Sequence, residues 1–223
     1  MQFSPYEQQD LDRYYTKAIN EFKLKLKMKR NKTESGISLI RLLHEKVDKL
    51  AKNVSRAGIV LACSRGCSSC CKIRVEALTP EIFYMADQLK RRSGVDKIIT
   101  QLEKYSKVAK GLKMDEHRLE CPMLHDNECS IYDIRPMMCR RFHSLSIQAC
   151  RTEGADIPQN GELACKAMAL PKALKKTYAD IGLSVGQHEL GQALLVALTK
   201  DSALKEWSEG EVPFDLIPEE EGN

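Results

Sequence analysis

The sequence is organised around one short stretch, Cys63-Ser-Arg-Gly-Cys67-Ser-Ser-Cys70-Cys71, which places four thiols within nine residues. A second stretch begins fifty residues further on: Cys121-Pro-Met-Leu-His-Asp-Asn-Glu-Cys129-Ser-Ile-Tyr-Asp-Ile-Arg-Pro-Met-Met-Cys139-Arg-Arg-Phe-His143. Cys150 and Cys165 complete a set of nine cysteines. Nothing else in the chain is so far from a random arrangement, so we expect the fold to be built around these thiols.

The charges of the chain are distributed unevenly. A formal net charge of +4 over 223 residues is too small to indicate nucleic-acid binding, and the basic segment lacks interleaved aromatic residues. Basic residues gather in residues 13–32 and acidic ones in residues 206–223. We therefore predict a basic helical hairpin over residues 1–57, a cysteine-cluster domain with helices over residues 58–205, and an acidic tail over residues 206–223.

Cysteine usage points to metal or redox chemistry. The N-terminal residues lack the basic start and apolar run of a signal peptide, and no apolar stretch is long enough to span a bilayer. We therefore expect a cytoplasmic protein with no membrane partner. Thiols stay reduced in that compartment, and nine cysteines cannot all pair in disulfides.

Apolar residues recur at three- and four-residue steps in most of the chain, which predicts a mainly α fold. We expect Asn31–Gly36 to be a loop, His44 to lie on the surface, Thr79 to cap a helix and Lys72–Leu78 to be extended. Leu163–Leu170 should end or kink at Pro171. Trp207 and Phe214 should anchor the C-terminal arm, and residues 219–223 should be disordered. The predicted helices span residues 6–31, 37–54, 79–92, 95–110, 163–170 and 186–199.

Two predicted helices separate the two cysteine stretches. If they fold back, they bring Cys71 close to Cys121. The expected architecture is then a helical domain whose irregular loops are knitted together by a cysteine-rich metal cluster.

The first stretch has the spacing of a metal knuckle. In Cys67-x2-Cys70 a tight turn lets two thiolates reach one ion, and Gly66 suits that turn. Cys71, next to Cys70, should point elsewhere and serve a second metal atom or another corner of a cluster. Cys63 lies within reach as a further ligand.

The second stretch contains its own turn signals. Pro122 restricts Cys121 to extended geometry, and Asp126-Asn127-Glu128 predicts a turn that returns the chain to Cys129. Arg135, Arg140 and Arg141 are expected to surround the thiols and to lower their pKa.

Both stretches resemble the CxxCxxCC cysteine-cluster family, also called the YkgJ family, a zinc- or iron-chelating domain. Gly66–Cys71 is similar to the family's Gly-Cys-x-x-Cys-Cys motif. The residues from Cys121 to Arg140 are similar to its Cys-Pro-x-Leu…Cys-x-Ile-Tyr-x-x-Arg-Pro-x-x-Cys-Arg motif. The resemblance covers roughly residues 60–152. It implies as ligands Cys67, Cys70, Cys71, Cys121, Cys129 and Cys139.

Two further cysteines join this set and one does not. Cys63 is included because of its position, and Cys150 is balanced between ligand and core. Cys165 lies on a helical pattern beside alanines and is assigned to the core. His125 and His143 are expected to be exposed or hydrogen-bonded. The candidate metal ligands are Cys63, Cys67, Cys70, Cys71, Cys121, Cys129, Cys139 and Cys150.

So many thiols exceed the four that one structural zinc ion needs. They suit two zinc ions, a polynuclear zinc–thiolate cluster or an iron–sulfur cluster, and the adjacent Cys70 and Cys71 favour more than one metal atom. We expect a metal-binding protein with an iron–sulfur cluster or zinc, and no acid–base or nucleophile set that would make catalytic activity evident is visible in the sequence. An iron–sulfur-dependent enzyme or redox protein is the alternative. Metal ions are the predicted partners.

Overall fold

The structure is a computed structural model that describes residues 4–27, 31–113, 116–152 and 155–216. It is mainly α-helical, as predicted. Among the described residues, no helix combines the length and the apolar character needed to cross a bilayer. The helices are α1 (Pro5–Lys27), α2 (Lys32–Arg56), α3 (Thr79–Lys90), α4 (Val95–Ala109), α5 (Met137–Arg141), α6 (Ile147–Arg151), α7 (Gly161–Ala179), α8 (Leu190–Thr199) and α9 (Ala203–Ser208). The strands are β1 (Glu76–Leu78), β2 (Leu124–His125), β3 (Glu128–Cys129) and β4 (Gln187–Glu189).

The chain forms two compact units, and neither is continuous in sequence. The first unit consists of Met1–Ser64 and Cys139–Leu183. The second consists of Arg65–Met138 and Ser184–Asn223. The chain therefore passes from one unit to the other three times. The predicted domain limits at residues 57 and 205 stay a prediction.

In the first unit α1, α2 and α7 pack against one another. Phe22 of α1, Leu43 of α2 and Leu170 of α7 are completely buried. The Tyr178 hydroxyl of α7 donates a buried hydrogen bond of 2.7 Å to the Gly36 carbonyl oxygen of α2. The predicted pair of N-terminal helices is thus completed by a third helix that lies more than a hundred residues later in the chain.

Helix α2 begins earlier than predicted. The expected loop over Asn31–Gly36 is wrong, because the Asn31 side chain caps α2 by accepting hydrogen bonds from the N–H groups of Thr33 and Glu34. The surface position expected for His44 is also wrong, since only 5% of this residue is exposed.

Helix α7 continues through Pro171, so of the two expected outcomes, an end or a kink, the end is wrong. A proline inside a helix costs about 3 kcal/mol. Burying one leucine stabilises by about 1.5–3 kcal/mol, and both Leu170 and Leu174 are completely buried in this unit. Packing of α7 on α1 and α2 therefore outweighs the local penalty.

In the second unit α8 packs against both α3 and α4. Strands β1 and β4 pair antiparallel, with Glu76 opposite Glu189. The predicted helix over residues 186–199 is therefore wrong in its first turn. The Glu189 carboxylate caps α8 by accepting from the N–H groups of Gly191 and Gln192, so the helix begins only after it.

The C-terminal arm is anchored by aromatic side chains, as predicted. Trp207 is completely buried, stacks on Phe83 with ring centroids 5.2 Å apart, and donates from its indole N–H to the Ser184 carbonyl oxygen. Phe214 packs against Phe83, with ring centroids 5.1 Å apart. The expectation for residues 219–223 concerns residues outside the described part of the chain.

His188 connects the start of α3 to the C-terminal arm. Its Nε2 lies 2.8 Å from the Thr79 hydroxyl, and its Nδ1 lies 2.8 Å from the Asp215 carbonyl oxygen. Thr79 is therefore not the helix cap that the sequence predicts, because its hydroxyl is used here. Burial lowers the pKa of His188 below its ordinary value of 6.5.

We expect this histidine to make stability depend on pH. The unfolded chain takes up a proton at His188 near pH 6.5, whereas the folded chain resists it. The contribution of neutral His188 to the free energy of unfolding should therefore be fully present above about pH 6.5. This contribution should be lost as the pH drops below that value. Urea unfolding at a series of pH values from about 7.5 to 5 measures the effect. The same slope in His188→Gln would contradict it.

Candidate metal centre

The first cysteine stretch forms a tight turn. Gly66 has a φ of +86°, a left-handed conformation that favours glycine, as its predicted role requires. Cys70 and Cys71 lie in a 3₁₀ turn, Ser69–Lys72, which the Cys71 N–H closes by donating to the Ser68 carbonyl oxygen. The Cys71 thiol next to Cys70 raises the pKa of Cys70. The expectation that Cys71 points away from Cys70 stays a prediction.

The two cysteine stretches meet in the second unit. The Cys121 N–H donates a hydrogen bond of 2.7 Å to the Cys71 carbonyl oxygen. The Ser68 hydroxyl lies 3.3 Å from Oδ1 of Asn127, which belongs to the second stretch. The predicted approach of Cys71 and Cys121 is confirmed, and it follows from the packing of α3 and α4 against α8.

Cys129 lies at the end of a β-hairpin whose turn has two residues. Strands β2 and β3 pair antiparallel, and Leu124 lies opposite Cys129. Asp126 and Asn127 at the turn both have positive φ, 49° and 62°. These are the residue types that tolerate the two left-handed positions of a type I′ turn. The predicted turn is confirmed, and it places Cys129 back beside the start of the stretch.

Tyr132 and Arg135 hold the loop that follows Cys129. The Arg135 guanidinium lies 3.7 Å from the centroid of the Tyr132 ring, and it donates to the Tyr132 carbonyl oxygen at 2.7 Å. Arg65, which belongs to the first cysteine stretch, lies 5.4 Å from the centroid of the same ring. The Tyr132 ring therefore makes cation–π contacts with one arginine from each cysteine stretch.

Three thiols of this unit, those of Cys70, Cys121 and Cys129, are harder to ionise than an ordinary cysteine. The neighbouring Cys71 thiol, and then burial, raises the pKa of Cys70. Burial raises the pKa of Cys121 to about 11 and also raises that of Cys129. Arg135 lowers the pKa of Cys70 and Cys129 only in part, so the predicted lowering of thiol pKa by arginines is outweighed by burial.

The mutual effects on pKa show which thiols are neighbours. Cys70 raises the pKa of both Cys121 and Cys129, and Cys129 raises the pKa of Cys121. Cys71 raises the pKa of Cys70 in the same way. We use the name thiol cluster for these four predicted ligands of the second unit, whose charges affect one another: Cys70, Cys71, Cys121 and Cys129. Cys67, at the start of the same turn, belongs to the same unit.

The remaining cysteines lie in the first unit. Cys63 is exposed, whereas Cys139 in α5 and Cys150 in α6 are partly buried. Cys165 in α7 is also only partly buried, so its assignment to the core is too strong. No disulfide joins any of the nine cysteines, all of which belong to the described part of the chain. Arg140 belongs to this unit too, and it pairs with Asp48 at 2.8 Å.

His143 is a structural histidine, in agreement with the sequence. It is 3% exposed, and its Nε2 accepts a hydrogen bond of 2.8 Å from the Asn160 N–H. Nδ1 must therefore carry the proton, and it donates to the Arg141 carbonyl oxygen at 2.9 Å. His125 is exposed in the hairpin.

A buried polar trio that the sequence did not indicate lies beside Cys121. The Tyr105 hydroxyl donates to the Glu189 carboxylate at 2.8 Å and lies 2.9 Å from Nε2 of His117. Glu189 and Tyr105 are close enough to Cys121 to affect each other's pKa: Glu189 raises that of Cys121, and Cys121 raises that of Tyr105. No spacing signal exists for three residues so far apart in sequence. The one local hint is Gly191, where a Cβ would lie 2.4 Å from the Tyr105 ring.

A buried carboxylate fixes the far end of the second stretch. Glu81, which is 1% exposed, accepts from the Leu78 N–H at the start of α3 and from the Met137 N–H at 2.6 Å. One side chain thus caps a helix and holds the chain just after the Tyr132–Pro136 loop. Hydrogen bonds to an ionised acceptor contribute about 1.5–3 kcal/mol each.

We expect Glu81→Gln to lower the free energy of unfolding by about 2–3 kcal/mol, because an amide turns a donor toward one of the two N–H groups. Asp87→Asn is the matched control on the same helix. Asp87 pairs with the exposed Arg91, so its loss should cost less than about 1 kcal/mol. Urea unfolding of the two variants at pH 7 measures the difference. Equal losses would show that Glu81 does not hold the loop.

The donor set matches zinc or iron in chemistry, because both bind thiolates. The arrangement is not that of a finished site. Within the described ranges, no three His, Cys, Asp or Glu side chains are spaced to hold a metal ion. The cluster therefore supplies sulfur donors of the kind that zinc and iron bind. The described side chains are not arranged around one point as metal ligands are.

Comparison with known proteins gives one match. Residues 62–166 match the model of the CxxCxxCC family, whose description is "Putative zinc- or iron-chelating domain". No curated protein and no solved structure is similar enough to the chain to count as a match. The matched segment contains both cysteine stretches and extends past the expected limit at residue 152 into α7. Residues 62–166 are thus similar to the same family that the cysteine motifs indicate.

Proposed function

We propose that this protein binds zinc or an iron–sulfur cluster through the thiol cluster, Cys70, Cys71, Cys121 and Cys129, and that the metal has a non-catalytic, structural role. The observation that carries the proposal is the hydrogen bond from Cys121 to the Cys71 carbonyl oxygen, which joins two thiol-rich stretches fifty residues apart in sequence. The family description, which names zinc or iron, supports it.

The number and kind of donors suit both metals. Four thiolates make up a complete tetrahedral zinc site and equally the four corners of an iron–sulfur cluster. Cys67, two residues before Ser69 and in the same unit, offers a fifth sulfur for a polynuclear site. The other predicted ligands, Cys63, Cys139 and Cys150, belong to the first unit and stay predictions.

Metal binding has to draw the sulfur atoms together. The thiols lie on a 3₁₀ turn, a tight hairpin and a loop, which are short elements that shift more easily than packed helices. The side chains behind them are fixed in the core: Met123, Ile131 and Ile134 are each at most 3% exposed. The binding energy therefore goes into ordering the loops, so metal affinity and stability should change together.

The first prediction of this proposal concerns the identity of the metal. Protein purified without oxygen should contain tightly bound metal, measured by elemental analysis together with a visible spectrum. Iron with acid-labile sulfide and a brown colour would identify an iron–sulfur cluster, and stoichiometric zinc in colourless protein would identify zinc. Removing the metal with a chelator should lower the melting temperature. Metal-free protein with normal melting would overturn the proposal.

The second prediction separates ligands from other cysteines. Cys70→Ser, Cys121→Ser and Cys129→Ser should each lower the metal content and the melting temperature, although serine is nearly the same size. Cys165→Ser is the matched control, since Cys165 lies in α7 of the other unit. It should retain the metal and cost about 1 kcal/mol or less. The same assay on Cys63→Ser, Cys139→Ser and Cys150→Ser tests the remaining predicted ligands. Loss of metal in Cys165→Ser but not in Cys129→Ser would reverse the assignment.

A further inference from the structure

His117 is buried, with only 2% of the residue exposed, and one of its ring nitrogens has no partner. Its Nε2 lies 2.9 Å from the Tyr105 hydroxyl. Its Nδ1 is completely buried and makes no hydrogen bond within the described structure. Nearly all buried polar atoms in proteins are hydrogen-bonded, so an unpartnered one calls for a specific explanation.

The hydrogen-bond network decides which nitrogen carries the proton. Oε1 of Glu189 accepts from the Gly191 N–H and Oε2 from the Gln192 N–H, which favours the ionised carboxylate. An ionised carboxylate only accepts, so the Tyr105 hydroxyl must donate to it. The Tyr105 oxygen is then an acceptor, and Nε2 of His117 must be the donor. In the neutral imidazole this leaves Nδ1 with a bare lone pair.

In a metal-binding histidine one ring nitrogen has a bare lone pair, and the other donates its proton to an acceptor that fixes the ring. His117 has this arrangement, because its Nε2 donates to the Tyr105 oxygen and the Tyr105 hydroxyl donates to the Glu189 carboxylate. His117 and Cys121 are separated by three residues, a spacing typical of zinc ligands, and four residues reach at most about 14 Å. The charge of Cys121 also raises the pKa of Tyr105, the partner of His117.

Charge favours a nitrogen donor at this place. Zinc with four thiolates carries a net charge of −2, and the Glu189 carboxylate beside Cys121 is a further buried negative charge. Like charges repel strongly where water is excluded. Replacing one thiolate by a neutral imidazole removes one negative charge from the side of the site that faces Glu189.

We propose that His117 binds, through Nδ1, the same metal ion as Cys121, with Tyr105 and Glu189 as the groups that orient its ring. This inference rests on the proposed function, because it requires that Cys121 binds a metal. It adds a nitrogen ligand to a site for which the cysteine motifs indicate sulfur alone. The site then has mixed sulfur and nitrogen donors, and one thiol remains for a second metal atom.

The direct test uses the unaltered protein. Nitrogen-15 NMR distinguishes bare, protonated and metal-bound imidazole nitrogens. In the metal-free protein we expect His117 to be protonated at Nε2 and bare at Nδ1. Adding zinc should change the Nδ1 signal of His117 to that of a metal-bound nitrogen and leave Nε2 protonated. A protonated Nδ1 in the metal-free protein, or an Nδ1 signal unchanged by zinc, would overturn the inference.

Variants give a second test. His117→Gln keeps a donor for Tyr105 and removes the Nδ1 lone pair, and we expect the zinc dissociation constant to rise at least about 10–100-fold. Tyr105→Phe leaves Glu189 capping α8 and should raise it about 10-fold. His125→Gln is the matched control, because His125 lies four residues after Cys121 as His117 lies four residues before it, but is exposed. It should bind zinc like the unaltered protein.

Cobalt(II) substitution tells the two proposals apart. A sulfur-to-cobalt charge-transfer band reports thiolate ligands, and the visible d–d bands report the mixture of nitrogen and sulfur donors. Absence of the charge-transfer band in the unaltered protein would overturn the proposed function itself. A normal charge-transfer band with identical d–d bands in His117→Gln would overturn only the assignment of His117. If His117→Gln does not fold, the nitrogen-15 measurement decides.

Discussion

The hydrogen bond from the Cys121 N–H to the Cys71 carbonyl oxygen joins the two cysteine stretches, and the proposed metal centre depends on that junction. Closing a flexible loop of about 50 residues costs about 3.5 kcal/mol in chain entropy beyond a constant. One backbone hydrogen bond contributes only about 1 kcal/mol. The difference comes from α3 and α4, which both pack on α8 and bring the ends of the loop together.

Two buried carboxylates connect separate segments of the second unit by hydrogen bonds. Glu81 and Glu189 each cap a helix and also accept a hydrogen bond from a segment next to the cysteines, the Met137 N–H and the Tyr105 hydroxyl. The hydrogen-bond partners of both carboxylates are protein groups. The sulfur atoms are the part of the site that is left to be ordered.

Local sequence predicted the features that rest on neighbouring residues. The Asp126-Asn127 turn, the left-handed Gly66 and the helical faces followed from residue type and spacing. The failures have long-range causes: α7 continues through Pro171 because two distant helices bury it. The thiol pKa values rise because burial exceeds the effect of arginine. His117, Tyr105 and Glu189 meet only in three dimensions.

Because the chain alternates between two units, the segment that matches the family is not a unit that folds by itself. The segment that matches the CxxCxxCC family begins at residue 62 and ends at residue 166, inside α7. It lacks α1 and α2, on which α7 packs, and α8, on which α3 and α4 pack. A fragment cut at the limits of the family match would expose the apolar faces of both units, so the matched segment and the smallest folding unit are different stretches of this chain.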